Sequence, residues 1–289
     1  MSQILDTHLG SKQVFLTNTS CYKSVSSGEA IFVFNDVIEA PPNIVMSIGL
    51  QSLAFCNSRY TINSTNNLVL LKFSSSTLEV QITVPVGFYS ASSFITAFQT
   101  ALDEAFGDSV FAATYNKTTG RITLDGPGNF LGVFLTGSAG KTTCFEPLGY
   151  SRGDASALAD SNGVVVMPTV ADFSGLNSVY FELMNVGSNC LDSRAPSSST
   201  LARVNCTGNP GQFVFHESDR HPRLRITSRT LNIFHVRMTD RYGTVVDFND
   251  VPWEATLEVI FSKVVAREHV PSVQDALEQL NAPPVEEAA

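Results

Sequence analysis

Residues 224–261, LRITSRTLNIFHVRMTDRYGTVVDFNDVPWEATLEVIF, constrain the fold more than any other stretch of the chain. In the middle run Phe234, Val236 and Met238 alternate with His235 and Arg237. In the last run Trp253, Ala255, Leu257, Val259 and Phe261 alternate with Glu254, Thr256, Glu258 and Ile260. A period of two over so many positions is the pattern of half-buried antiparallel strands. Asp240-Arg241-Tyr242-Gly243 and Asp247-Phe248-Asn249-Asp250 supply turn chemistry, because Asp and Asn side chains bond their own backbone and Gly tolerates positive φ. The segment predicts three strands joined by two tight turns. It is scaffold, with no catalytic signature.

The rest of the chain extends the same theme. Residues 30–34 form an apolar run, and after Pro41-Pro42 the residues Ile44, Met46, Ile48 and Leu50 alternate with Val45, Ser47, Gly49 and Gln51. The phase slips at Ser52-Leu53, which predicts a bulge or bend. Residues 68–73, 78–84, 177–186 and 212–215 read as further strands; in 78–84, Leu78, Val80, Ile82 and Val84 face inward. One helix interrupts them. Ser90 is its N-cap, and Phe94, Ile95, Phe98, Ala101, Leu102, Ala105 and Phe106 form its apolar stripe. A hairpin turning at Asn116-Lys117-Thr118-Thr119-Gly120 follows it, while 151–163 and 192–200 have loop composition.

With about eight principal strands and no β-α-β alternation, the expectation is an all-β fold. More narrowly, it is a single eight-stranded antiparallel jelly roll carrying an inserted helix-plus-hairpin at about residues 86–126. A double jelly roll needs a second set of strands that the pattern does not supply. Residues 1–25 are polar and read as an N-terminal arm, 26–263 as the decorated domain and 264–289 as an acidic C-terminal tail. In the tail, Ser272-Val273-Gln274-Asp275 resembles a capping box, and Val273, Ala276, Leu277 and Leu280 make a narrow apolar stripe. A short tail helix of this size does not hold alone; it frays or docks on a neighbouring subunit.

Composition narrows the function. Charged residues make up 16% of the chain, below the usual quarter, which suits strands and loops packed against neighbours. A net charge of −9 argues against wrapping nucleic acid. Charge is uneven, with Arg220, Arg223, Arg225, Arg229, Arg237 and Arg241 in one region and Glu268, Asp275, Glu278, Glu286 and Glu287 in the tail. Such a basic band and acidic tail either complement each other across a subunit boundary or are both simply solvated. The five cysteines are scattered and odd in number, with no C-x-x-C pair, which predicts reduced thiols and cytosolic synthesis. No apolar run approaches the ~18 residues of a membrane span.

Chemical motifs fail on spacing. Gly137-Ser138-Ala139-Gly140-Lys141-Thr142 resembles a phosphate loop, but Leu135 stands where its first glycine is needed. In His216-Glu217-Ser218-Asp219-Arg220-His221 the second His falls one residue late for a helical zinc pair, and Pro222 excludes the helix. Asp240, Asp247 and Asp250 suggest a calcium cluster on paper, but turn carboxylates are the commoner explanation. No catalytic, cofactor or metal residues are assigned. Arg152-Gly153-Asp154 is a cell-adhesion tripeptide when displayed on a mobile loop, and it falls in a loop-like segment.

The C-terminal pattern also resembles a family. Penton and minor capsid jelly-roll proteins of virophages, polinton-like viruses and related large DNA viruses of eukaryotes carry L-x-D-x-x-G, then x-x-D-x-N-x-x-x-W, before their last strand. Met238-Thr239-Asp240, Gly243, Asp247, Asn249 and Trp253 occupy those positions here, with Met238 in place of the usual Leu and Val251-Pro252 where a polar residue is commoner. Residues 84–102 with the hairpin 111–126, and then Leu148-Gly149-Tyr150, match in the same order. The resemblance implies a non-enzymatic virion capsid component, made in the host cytosol and without cofactors. Its partners would be itself as a homopentamer at icosahedral vertices, the major capsid protein and other minor capsid proteins. A cement protein or a jelly-roll module binding carbohydrate or a receptor is the alternative. Arg220, Arg223, Arg225, Arg229 and Arg241, with Val273, Leu277 and Leu280, are the candidate contact residues.

Overall fold

The computed structural model describes residues 5–74, 79–134, 144–150, 156–186, 190–192, 195–218 and 223–265. Its strands are β1 (Leu5–Thr17), β2 (Lys23–Ser26), β3 (Glu29–Glu39), β4 (Ile44–Cys56), β5 (Leu68–Phe73), β6 (Glu79–Thr83), β7 (Ala112–Asn116), β8 (Arg121–Asp125), β9 (Phe130–Phe134), β10 (Ser156–Leu158), β11 (Val164–Val166), β12 (Ser178–Leu183), β13 (Cys190–Asp192), β14 (Ala195–Ser198), β15 (Thr200–Asn205), β16 (Phe213–Glu217), β17 (Arg223–Ile226), β18 (Thr230–Thr239) and β19 (Trp253–Val265). Two helices are interposed, α1 (Ala91–Phe106) and α2 (Phe145–Leu148).

Alternation along the long strands builds a jelly-roll-like sandwich of two antiparallel sheets. Sheet I has the order β1-β19-β4, with β16 and β17 end to end along the far edge of β4; sheet II has the order β15-β12-β18-β3-β2. Their facing side chains make one core, including Leu16, Phe32, Met46, Ile48, Leu53, Phe55, Phe181, Phe234, Val236, Met238, Trp253 and Leu257. Trp253 packs edge-on against Phe32 at 6.0 Å and donates its indole N–H to the Ser27 carbonyl at 3.0 Å. The expected phase slip in β4 is a bulge at Gln51: Thr256 pairs with Ser52 and the next residue, Leu257, with Leu50. Leu50 and Leu53 are therefore both buried, although they are an odd number of residues apart.

A second core lies between β4 and β12 in the chain. Sheets β10-β9-β5-β6 and β11-β8-β7 pack with α1 around Val69, Leu71, Ile82, Phe94, Phe98, Phe111, Ile122, Leu124 and Val133. The Ser90 hydroxyl accepts from Ser93 N–H while the Ser93 hydroxyl accepts from Ser90 N–H, so the helix starts in a capping box. Phe94, Phe98, Ala101 and Leu102 are buried, whereas Ala105, at the end of the expected stripe, is exposed. Asn116 Oδ1 accepts from the N–H groups of Thr118 and Thr119, closing the β7–β8 hairpin. Gly120, at φ +67, leaves the turn free of a Cβ that would strike Val170 at 2.8 Å.

Three expectations change. The segment 224–261 is not a hairpin meander: β17 and β19 belong to sheet I and β18 to sheet II, so the chain crosses the sandwich at each connection. Strand β6 pairs with β5, and β5 with β9, rather than with the sandwich, so the insertion core runs from Ile62 to Ala171, beyond the expected 86–126. In place of an N-terminal arm, β1 pairs along its length with β19. It looks polar because it is an edge strand whose described side chains commit only Val14 and Leu16 to the core. The tail residues 266–289, including Val273, Leu277 and Leu280, fall outside the described residues, as do Arg220 and the Arg152-Gly153-Asp154 tripeptide.

Candidate functional site

Two surfaces carry unusual chemistry. The first is the junction where the loop 240–252 meets the insertion. Asp240 is buried, and its Oδ1 accepts from the N–H groups of Tyr242 at 2.8 Å and Thr244 at 3.0 Å. Its Oδ2 accepts from Arg59 Nη1 at 2.9 Å. Asp247 Oδ1 accepts from Asn249 N–H at 2.9 Å and from the Ser27 hydroxyl at 2.7 Å, and Ser27 Oγ accepts in turn from Phe248 N–H. Asn249, in the left-handed region at φ 50, donates its amide to the Ser58 carbonyl. The motif residues thus pin the loop to the end of the sandwich. Asp240, Asp247 and Asp250 do not converge, and no group of three metal-ligating side chains occurs among the described residues.

Arg241 and Tyr242 reach across to α2. Arg241 Nη2 donates to Glu146 Oε1 at 2.6 Å, with Asp172 at 3.9 Å, and Tyr242 Oη donates to the same Glu146 oxygen at 2.6 Å. Burial works against the charged guanidinium, but the hydrogen bond and attraction of Glu146 outweigh it and hold the Arg241 pKa above its ordinary value. Burial first, then Glu146, raises the Tyr242 pKa, so the phenol stays a donor. A cavity of about 290 Å³ opens beside them, lined in part by Arg59, Asn66, Glu146 and Asp172. Its cations and carboxylates are spent on one another, which makes it a clamp between two cores. Burial pushes the Cys144 thiol up to about 12 against one opposing backbone hydrogen bond, and partial burial pushes Cys206 likewise to about 12.

The arginine-rich region is dispersed. Arg223 and Arg225 stand exposed on β17 at the edge of sheet I, and Arg229 is exposed in the turn before β18. Arg237 lies on the outer face of sheet II, bound to Glu182 through Nε at 3.0 Å and Nη2 at 2.8 Å. Arg241 sits in the clamp. Of the predicted contact residues, only Arg223 and Arg225 share one described face.

The second surface is the outer face of sheet I. Phe213 and Phe215 on β16 are 59% and 77% exposed and stack at 6.2 Å, while Val214 between them enters the core. On the opposite edge Phe15 of β1 is 70% exposed. Sequence reasoning placed 212–215 in a strand but missed that its aromatic phase points outward. The signal was present: Val214 alternates with two rings, and either phase satisfies a period of two.

No protein-family model matches the chain, and no curated protein matches it significantly. Among solved structures, the mavirus penton protein aligns with a TM-score of 0.43 at 9% identity, over 88% of this chain and all of that one. A chain of the Sputnik virophage particle aligns at 0.39 and 12% identity, over 89% and 98%. VP17, a capsid protein of bacteriophage P23-77, aligns at 0.19 and 9%, over 91% and 100%. At these TM-scores the likeness is distant, and function is read from the chain's own surfaces.

Proposed function

We propose that the chain is a structural capsid protein, most specifically the pentameric penton at icosahedral vertices, acting by self-association and by docking to major capsid subunits. One observation carries the reading. A sandwich whose buried carboxylates, Glu182 and Asp240, are bonded to its own arginines leaves three large aromatic rings, Phe15, Phe213 and Phe215, exposed on one sheet face. Exposed rings on rigid strands anchor protein interfaces, because they add large area at little conformational cost. The fold reading can be made finer as well. Numbering the principal strands in chain order (β1, β3, β4, β12, β15, β16 with β17, β18, β19), sheet I takes the first, eighth, third and sixth, and sheet II the second, seventh, fourth and fifth. That order supports reading the sandwich as a single eight-stranded jelly roll.

Arg223, Arg225 and Arg229 remain the candidate contact cations on described surface, and the tail is proposed as a second contact element. Imaging of shells assembled with this chain and the major capsid subunits of its own virion tests the function. Density for the sandwich at five-fold vertices is expected. Shells that close normally with the chain absent from every vertex would refute the penton assignment.

A further inference from the structure

We infer that sheet I continues from one copy of the chain into the next, with the β16–β17 edge of one molecule lying antiparallel against the β1 edge of its neighbour. The inference deepens the capsid reading and rests on it.

Strand direction is the first argument. Each neighbouring pair in β1-β19-β4-β16/β17 is antiparallel, so the two edges of this four-column sheet run in opposite directions. Copies arranged around an axis parallel to the strands share one direction. The edge of each then meets the opposite edge of the next in unbroken antiparallel alternation. An isologous contact would pair one edge with itself and leave the other open, whereas a heterologous contact that closes makes a ring.

Register is the second. Phe215, Ala54, Glu254 and Thr17 lie in one row across the sheet, and Arg223, Gly49, Glu258 and Gln13 in another. Carried over the boundary, the first row sets Phe215 beside Thr17 of the next copy and diagonal to its Phe15. Diagonal neighbours are roughly 7–8 Å apart, within reach of aromatic rings. The second row sets Arg223 beside Gln13, with Glu258 one strand further on. Charge agrees with this placement, since Arg223 and Arg225 line one edge while Glu254 and Glu258 flank the other.

Packing is the third. Beside β1 the seam between the two sheets opens into a groove of about 350 Å³ with Phe34, Ile38 and Phe234 in its walls. An added strand covers that seam. Edges that the described residues leave uncovered, as here, are the places where sheets recruit further strands.

The test uses two variants of the full chain, Phe15→Glu and Phe215→Glu, each disabling one edge and sparing the other. In sedimentation velocity each alone should lose the native oligomer. Mixed in equal amounts, they should form a one-to-one dimer and nothing larger, because each pair has one intact contact and two blocked ends. Unchanged Trp253 fluorescence in both variants shows that the sandwich is folded. As a second measurement, Gln13→Cys together with Arg223→Cys should give a reducible ladder of cross-linked copies on oxidation. A native oligomer that survives both glutamate substitutions, or that yields no cross-link, overturns the edge contact and leaves the capsid reading standing. A native chain that stays monomeric at every concentration overturns both.

Discussion

Asp240→Ala is the most informative single substitution for the scaffold. Asp240 is 3% exposed, and among the described residues its carboxylate accepts hydrogen bonds from two N–H groups of its own turn and from Arg59 Nη1. Alanine leaves the Tyr242 and Thr244 N–H groups without their acceptor and Arg59 without its counter-ion. Removing one partner of a buried pair costs about 3–5 kcal/mol. The Arg59 side chain keeps 19% exposure, so water recovers part of that and the lower end, about 3 kcal/mol, is expected. For a chain of this size such a loss lowers Tm by roughly 6–12 °C. Trp253 is the only tryptophan, buried in the sandwich core, so urea unfolding followed by its fluorescence reports the core that Asp240 anchors. Arg59→Ala should cost less, because Asp240 keeps both backbone donors. A double-mutant cycle should show coupling of at least about 0.5 kcal/mol between the two. An Asp240→Ala protein within about 0.5 kcal/mol of the native chain would refute the assignment of this residue as the anchor of the loop.

Further outcomes are specific to other parts of the chain. Gly149→Ala forces a side chain into a backbone at φ +77 and brings its Cβ to 2.4 Å from the Thr169 carbonyl, so the insertion core should lose well over about 1 kcal/mol, seen as faster amide exchange in β7 and β8. Phe98→Ala removes a ring stacked on Phe94 at 5.8 Å and should cost about 3–5 kcal/mol of insertion stability, read in the same exchange experiment. Cys144 and Cys206, held up to about 12, should resist a thiol reagent at pH 8 until urea unfolds the chain. Their folded values lie above the ordinary 9.0, so the linked stability is complete below that pH and is lost as pH rises toward 12, which a denaturation series in alkaline buffers will show.

Elements written in local pattern were legible in the sequence. Helix α1 declares itself through a 3.6-residue stripe and a serine cap, and the β4 bulge through a break in alternation. Partnership was harder to read. Strand β5 is a continuous apolar run and β6 alternates as a sandwich strand would, and nothing within either says which of two cores it enters. β1 was hidden by its polarity, since an edge strand at a sheet face needs only every second residue to be apolar, and among its described side chains only two reach the core. The clamp joins Arg241 to Glu146 across 95 residues, a pairing that no spacing rule encodes. The Phe213–Phe215 patch was visible as composition, but its outward phase is set by Val214 facing Phe55 across the β16–β4 pair.

Native mass spectrometry of the purified full-length chain tests the central claim most directly. The account predicts one dominant closed species at five times the 31.2 kDa chain mass. A strictly monomeric protein at every concentration would contradict it.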